Sequence, residues 1–157
     1  MSTNWISNRE LGDYLIQNGY RDKNNGTFIY KKFERYTSHF VRGIFDGDGC
    51  ITMSNSTPRY KQISICFSSS SNQNWTYLCE ILDNIKVRYK IKKNVDKLGE
   101  SSQLYIKDSE SIYNLCEFMY KDSEGIRLER KYNKYLLFLD YKRKYKRTNK
   151  LNSLLAQ

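Results

Sequence analysis

Two carboxylates, Asp46 and Asp48, stand at the end of the apolar stretch FVRGIFDGDGC, residues 40–50, in a chain of formal net charge +10. Residues 37–48 read as a helix, with Thr37 or Ser38 at its start. The C-terminal end of a helix carries partial negative charge, so a carboxylate there is disfavoured by roughly 0.3–1 kcal/mol. A bound divalent cation reverses the sign of that cost. Gly43 and Gly47 lie four apart, on one face of the helix. Each costs about 1 kcal/mol relative to alanine, so both need a reason. A face without side chains lets a second helix backbone approach closely, as small-xxx-small pairs do elsewhere. Two such helices side by side bring two carboxylate ends together. Two metal-held carboxylates beside two phosphates are what phosphodiester hydrolysis needs.

Two plainer readings compete. D-x-D-G-x-I resembles part of a calcium-binding EF-hand loop. With Gly49 as the sixth loop position, the first would be Ile44 and the twelfth Asn55. Neither supplies a carboxylate, which excludes that loop. The other reading is a simple helix stop with acidic turn residues. Against it stand the paired glycines and the pattern of elements that follows.

After Gly49 the hydrophobic period changes from helix to strand. CITMS (50–54) reads as a strand, and STPRY, with the single proline, breaks it. KQISICFS (61–68) alternates, with Ile63, Ile65 and Phe67 opposite Gln62, Ser64, Cys66 and Ser68. The serines of 68–72 suit the cap of a helix at 73–85 whose inward residues are Trp75, Leu78, Leu82 and Ile85. VRYKIKK (87–93) sets Val87, Tyr89 and Ile91 against Arg88, Lys90 and Lys92, NVDKLGESS reads as a turn, and QLYIK (103–107) as a further strand. A capped helix at 108–120 turns Ile112, Leu115, Cys116 and Met119 inward, and a last helix covers 126–147. The expectation is an α+β fold with a four-stranded sheet, one face apolar against helices and one polar or basic and open. Such a face suits DNA. Upstream, residues 7–18 read as a short helix with Leu11 and Leu15 on its apolar side, and TFIYKKF (27–33) as a strand. Residues 6–28 faintly echo residues 106–128.

The charge is uneven. Residues 1–125 carry a net +2 and residues 126–157 a net +8. A basic block attracts polyanions, nucleic acid first, although a run such as KRKYKR (142–147) alone binds DNA without sequence choice. The four cysteines, Cys50, Cys66, Cys79 and Cys116, form no CxxC pair and read as buried, reduced thiols. With no signal peptide and no apolar run of the ~18 residues that a membrane span needs, the expectation is a soluble, intracellular protein. The abundance of Asn, Lys, Ile and Tyr suggests an AT-rich genome, and so the cytoplasm or nucleoid of a bacterial or phage host or an organelle.

VRGIFDGDG (41–49) resembles the motif of the LAGLIDADG homing endonucleases: Gly43, Ile44, Asp46, Asp48 and Gly49 match, and Gly47 fills a small-residue position. The resemblance runs from residue 37 to about residue 140 and includes the ββαββα order after the motif. It implies an αββαββα unit with a curved antiparallel sheet on double-stranded DNA, two motif helices packed together, and Mg²⁺-dependent cleavage of both strands, with Ca²⁺ or Mn²⁺ able to replace Mg²⁺ for binding. Asp48 matches the metal ligand at the scissile phosphate, Gly47 would offer its carbonyl to the metal, and Asp46 takes a structural role at the helix end. Direct readout would fall to Thr52, Ser54, Ser56, Gln62, Ser64, Cys66, Ser68, Arg88, Lys90, Lys92, Gln103 and Tyr105, with Arg59, Lys61 and Lys107 on phosphates. The resemblance also implies a basic catalytic residue near the metals, which falls on Lys131, or on Arg130, in RLERKYNKY (127–135). His39, the single histidine, lies in the first turn of the motif helix and takes no catalytic part.

The sequence thus divides into an appendage at 1–36, an endonuclease domain at 37–147 and a tail at 148–157. One motif supplies one carboxylate, and double-strand cleavage needs two. A homodimer paired through Gly43 and Gly47 meets that need. So does a separate partner half, which the echo at 6–28 keeps open. A binding protein on the same scaffold, an intron maturase or a regulator that does not cut, is the alternative to an enzyme.

Overall fold

A computed structural model describes residues 9–17, 35–57, 60–96 and 99–155. The chain divides into two compact units, Met1–Thr37 and Ser38–Gln157. In the first, α1 (Arg9–Gln17) carries an Arg9–Asp13 ion pair one turn apart. The strand expected at 27–33 lies outside the described residues, as does most of the 6–28 echo and the phosphate contact expected of Arg59.

The motif helix α2 (Thr37–Asp48) lies in the second unit from Ser38 onward and covers the span its sequence predicts. Then come β1 (Gly49–Thr57), β2 (Tyr60–Ser70), α3 (Thr76–Asn84), β3 (Lys90–Asp96), β4 (Gly99–Ile106), α4 (Ser109–Tyr120) and α5 (Glu129–Leu155). The strands form one antiparallel sheet in the order β1-β2-β4-β3. This is the α+β arrangement the alternation predicts.

The sheet's apolar face carries Ile51, Ile63, Ile65, Phe67, Leu104 and Ile106, all buried. Against it the helices contribute Val41 and Phe45 from α2, Leu78, Ile81 and Leu82 from α3, Ile112, Leu115, Cys116 and Met119 from α4, and Tyr135 and Phe138 from α5. Burying one such side chain contributes roughly 1.5–3 kcal/mol. Phe45 is fully buried and meets the edge of Phe67 at 5.7 Å between ring centroids, which anchors the last turn of α2 to the sheet.

Several boundaries differ from the sequence reading. β2 runs on through Ser70, so the serines belong to the strand, and Asn74 Oδ1 accepts the Thr76 N–H at the start of α3. Trp75 instead turns its indole N–H to Ser102 Oγ, 2.8 Å away. β3 begins at Lys90 and extends to Asp96, and β4 starts at Gly99, so much of the supposed turn is hairpin. α5 starts at Glu129 and continues to Leu155, through most of the presumed tail. Cys116 is buried but Cys50 is exposed, because β1 turns it to the polar face opposite Cys66. Among the described residues no helix is long and apolar enough to cross a membrane.

Candidate active site and nucleic-acid face

α2 is held by one side and open on another. Val41 and Phe45 enter the core, and the buried Arg42 guanidinium donates to the Met119 carbonyl at 3.0 Å near the end of α4. Arg42 also meets His39 Nδ1 at 2.7 Å, which gives the single histidine a partner on the helix itself. Gly43 and Gly47 are exposed, and a Cβ at either would have open space around it. Gly49 is different. A Cβ there would sit 2.5 Å from the Phe45 carbonyl oxygen and would overlap the Phe45 ring, so only glycine fits where α2 turns into β1.

The two aspartates have separate environments. Asp46 is partly buried: Oδ2 accepts the Leu128 N–H at 3.0 Å, while Oδ1 is buried with no hydrogen-bond partner among the described residues. Asp48 is exposed. Lys131, 3 % exposed, reaches back from the first turn of α5, and its Nζ donates to the carbonyls of Phe45, Asp46 (3.0 Å) and Gly49. Burial and the neighbouring Arg130 push its pKa down, against the pull of Asp46, Cys50 and Asp48. Arg130 itself is exposed. Lys134, three residues on, donates to the Ile51 carbonyl at 3.0 Å. The sequence reading passed over Lys134, and its spacing from Lys131 on one helix face is the signal that marks it.

Carboxylate and carbonyl oxygens are the hard donors that Mg²⁺ and Ca²⁺ take, and Mg²⁺ is commonly held by one or two carboxylates plus substrate phosphates. The exposed Asp48 carboxylate and the orphaned Asp46 Oδ1 fit that chemistry. Among the described residues there is no cluster of three or more His, Cys, Asp or Glu, so a metal at this helix end would need ligands from beyond these side chains.

The strand register puts most of the expected DNA-reading residues on one face. Thr52 pairs with Ser64 and Ser54 with Gln62, while Cys66 lies beside Tyr105 and Lys90, and Ser68 beside Gln103 and Lys92. Cross-strand partners share a face. Thr52 Oγ1 and Ser64 Oγ are 2.8 Å apart. The Gln103 amide is oriented: its oxygen accepts from the Tyr105 hydroxyl and from Asn94 Nδ2 (2.8 Å), and its nitrogen donates to Ser68 Oγ (3.3 Å). Ser56 falls at a register shift between Asn55 and Thr57. Lys61 is exposed, and its backbone N–H donates to the Tyr141 hydroxyl at 3.1 Å.

Arg88 precedes β3 and is engaged elsewhere. Its guanidinium meets Asp108 at 2.8 Å and lies 3.7 Å from Glu110. Burial pushes the Asp108 carboxyl up, but hydrogen bonds from Arg88 and Ser111 outweigh it and hold the group well below the usual carboxylate range. A concavity of about 470 Å³ lies here, lined by Arg88, Tyr89, Lys90, Lys92, Tyr105, Lys107 and Asp108. Lys107 Nζ stands 5.8 Å from the centre of the Tyr105 ring.

A LAGLIDADG-like domain matches residues 35–119, more than half of the chain, and the chain belongs to the LAGLIDADG family. No curated protein sequence matches it. Among solved structures it is similar to the homing endonuclease I-CvuI in complex with DNA (TM-score 0.52, 16% identity, 70% of this chain and 69% of that one). It is also similar to the group I intron-encoded homing endonuclease I-CeuI complexed with DNA (TM-score 0.51, 12% identity, 84% of this chain and 69% of that one). At these identities the likeness is one of fold.

Proposed function

We propose that this chain is a site-specific endonuclease of double-stranded DNA that works as a homodimer with a divalent metal. The observation that carries the reading is the end of α2, where the exposed Asp48 follows a helix face left open at Gly43 and Gly47. Two copies paired along that face would set two Asp48 carboxylates side by side, one for each strand. Asp48 and the Gly47 carbonyl would hold the metal. When bound, the metal supplies charge neutralisation at the scissile phosphate and lowers the pKa of its water. With His39 engaged by Arg42, no histidine base is invoked.

The polar sheet face would lie in the major groove. Thr52, Ser54, Gln62, Ser64, Cys66, Ser68, Lys90, Lys92 and Tyr105 would contact base edges, and Lys61 and Lys107 phosphates. Gln103, its oxygen already accepting two hydrogen bonds, would act through its remaining N–H as a donor. The solved likenesses support DNA as the partner: I-CvuI and I-CeuI are both described on DNA, and I-CvuI in the presence of Mg²⁺ in one structure and of Ca²⁺ in another.

The test is selection of binding sites from random duplex DNA in Ca²⁺, followed by transfer of the bound fraction to Mg²⁺ and sequencing of the ends. Paired breaks at the centre of a near-palindromic site are expected. A bound site that stays intact in Mg²⁺ would contradict the nuclease and leave a nucleic-acid-binding protein on this scaffold. An asymmetric site would contradict the homodimer.

A further inference from the structure

We infer that Lys131 is a positioning residue: its ammonium caps the C-terminal end of α2 and fixes the place of Asp48 and of the Gly47 carbonyl, rather than meeting DNA or water itself. The inference rests on the nuclease reading above and departs from the chemical role that the sequence resemblance gives this lysine. An ammonium has three N–H donors. Here they go to three backbone carbonyls, those of Phe45, Asp46 and Gly49, on a side chain that is 3 % exposed. No donor remains for a phosphate oxygen or an attacking water.

The last carbonyls of a helix have no partners within it, and a buried one left unpaired is costly. Lys131 satisfies that need from outside the helix and offsets the negative end of α2, where two carboxylates also lie. The carbonyls it takes belong to residues 45, 46 and 49, which flank Gly47 and Asp48 on both sides. Two further contacts fix the same residues. Gly49 has no room for a side chain against Phe45, and Asp46 is tied to the Leu128 N–H. Asp48 therefore projects from a backbone pinned before and after it.

The cap has a consequence opposite in sign to that of the charge. Removing a cation from beside a cation site would by itself tighten metal binding. Releasing the backbone that presents the ligands loosens it, and changes to groups that orient metal ligands commonly cost 10–100-fold in affinity. Lys131→Met should therefore raise the half-saturating Mg²⁺ concentration for cleavage by about tenfold, and the half-saturating Ca²⁺ for site binding in parallel. At saturating Mg²⁺ the rate should return to near that of the unsubstituted chain. A half-saturating metal concentration that is unchanged or lower, or a rate defect that persists at saturation, would overturn the inference.

A second measurement needs neither a variant nor nuclease activity. In brief acylation of the native protein with acetic anhydride, read by peptide mass spectrometry, Lys131 should react far more slowly than the exposed Lys90 and Lys92. Equal reactivity would refute the cap. This measurement decides the matter if Lys131→Met does not fold by circular dichroism. It also separates the two readings: wild-type protein that binds its site and never cuts defeats the nuclease, while acylation still judges the cap.

Discussion

Asp46 and Lys131 clasp α2 to α5 in both directions. Asp46 Oδ2 on α2 accepts the Leu128 N–H at the entry to α5, and Lys131 Nζ on α5 donates back to the Asp46 carbonyl, each over 3.0 Å. A helix start and a helix end, both short of hydrogen-bond partners, are completed by one another.

Asp46→Ala should therefore destabilise the fold by about 1 kcal/mol, the cost of leaving a part-buried backbone donor without this acceptor. Urea unfolding followed by circular dichroism measures it. An unchanged midpoint would mean that the Leu128 N–H finds another acceptor.

The glycines of the motif should respond in opposite ways. Gly49→Ala forces a methyl into Phe45 and should cost about 1–3 kcal/mol. Gly43→Ala meets open space and should raise helix stability by up to about 1 kcal/mol. If α2 pairs with its copy, the same Gly43→Ala change weakens self-association. Thermal melts and sedimentation equilibrium on the two variants separate these effects.

Asp108 gives the fold an acid-sensitive joint. Its carboxylate caps α4 through the Ser111 N–H at 3.0 Å and pairs with Arg88 at 2.8 Å. Because its folded pKa is depressed, its contribution is fully present above the ordinary aspartate pKa of about 4 and is lost as pH falls through the lower folded value. Asp108→Ala should cost about 1 kcal/mol at neutral pH. The gap between variant and parent, from urea midpoints taken as a pH series, should narrow below pH of about 4.

Deleting residues 142–157 should weaken DNA binding and flatten its salt dependence without abolishing it. Each lost phosphate contact lowers the slope of log K against log salt by about 0.9. Fluorescence anisotropy across a salt series reads it. Complete loss of binding would place recognition on the basic end of α5 rather than on the sheet.

The elements that a buried stripe defines were legible in the sequence. α2 and α4 follow from Val41 and Phe45 and from Ile112, Leu115, Cys116 and Met119, and the apolar alternation of β2 gives its facing. The β3–β4 hairpin was misread because its distal end is wet on both faces. Val95 is 78 % exposed and its partner across the ladder, Glu100, is exposed too, so polarity there marks neither loop nor strand. The end of α5 was hidden in the same way, since a run of lysines and arginines looks alike in a solvated helix and in a tail. At the site, the glycine spacing and the paired aspartates were readable. The partners of Lys131 were not, because three backbone carbonyls more than eighty residues away leave no trace in side-chain types. The diversion of Arg88 to Asp108 was equally hidden, because alternation assigns a residue to a face and says nothing of an ion pair across twenty residues.

If Asp48 cuts and the sheet reads, one substitution should separate cleavage from binding. The direct measurement is Asp48→Asn beside the parent chain on the selected DNA site, with affinity taken in Ca²⁺ and cleavage in Mg²⁺. Site affinity close to that of the parent and no double-strand product are expected. Cleavage by Asp48→Asn at the parent rate would contradict that role for Asp48.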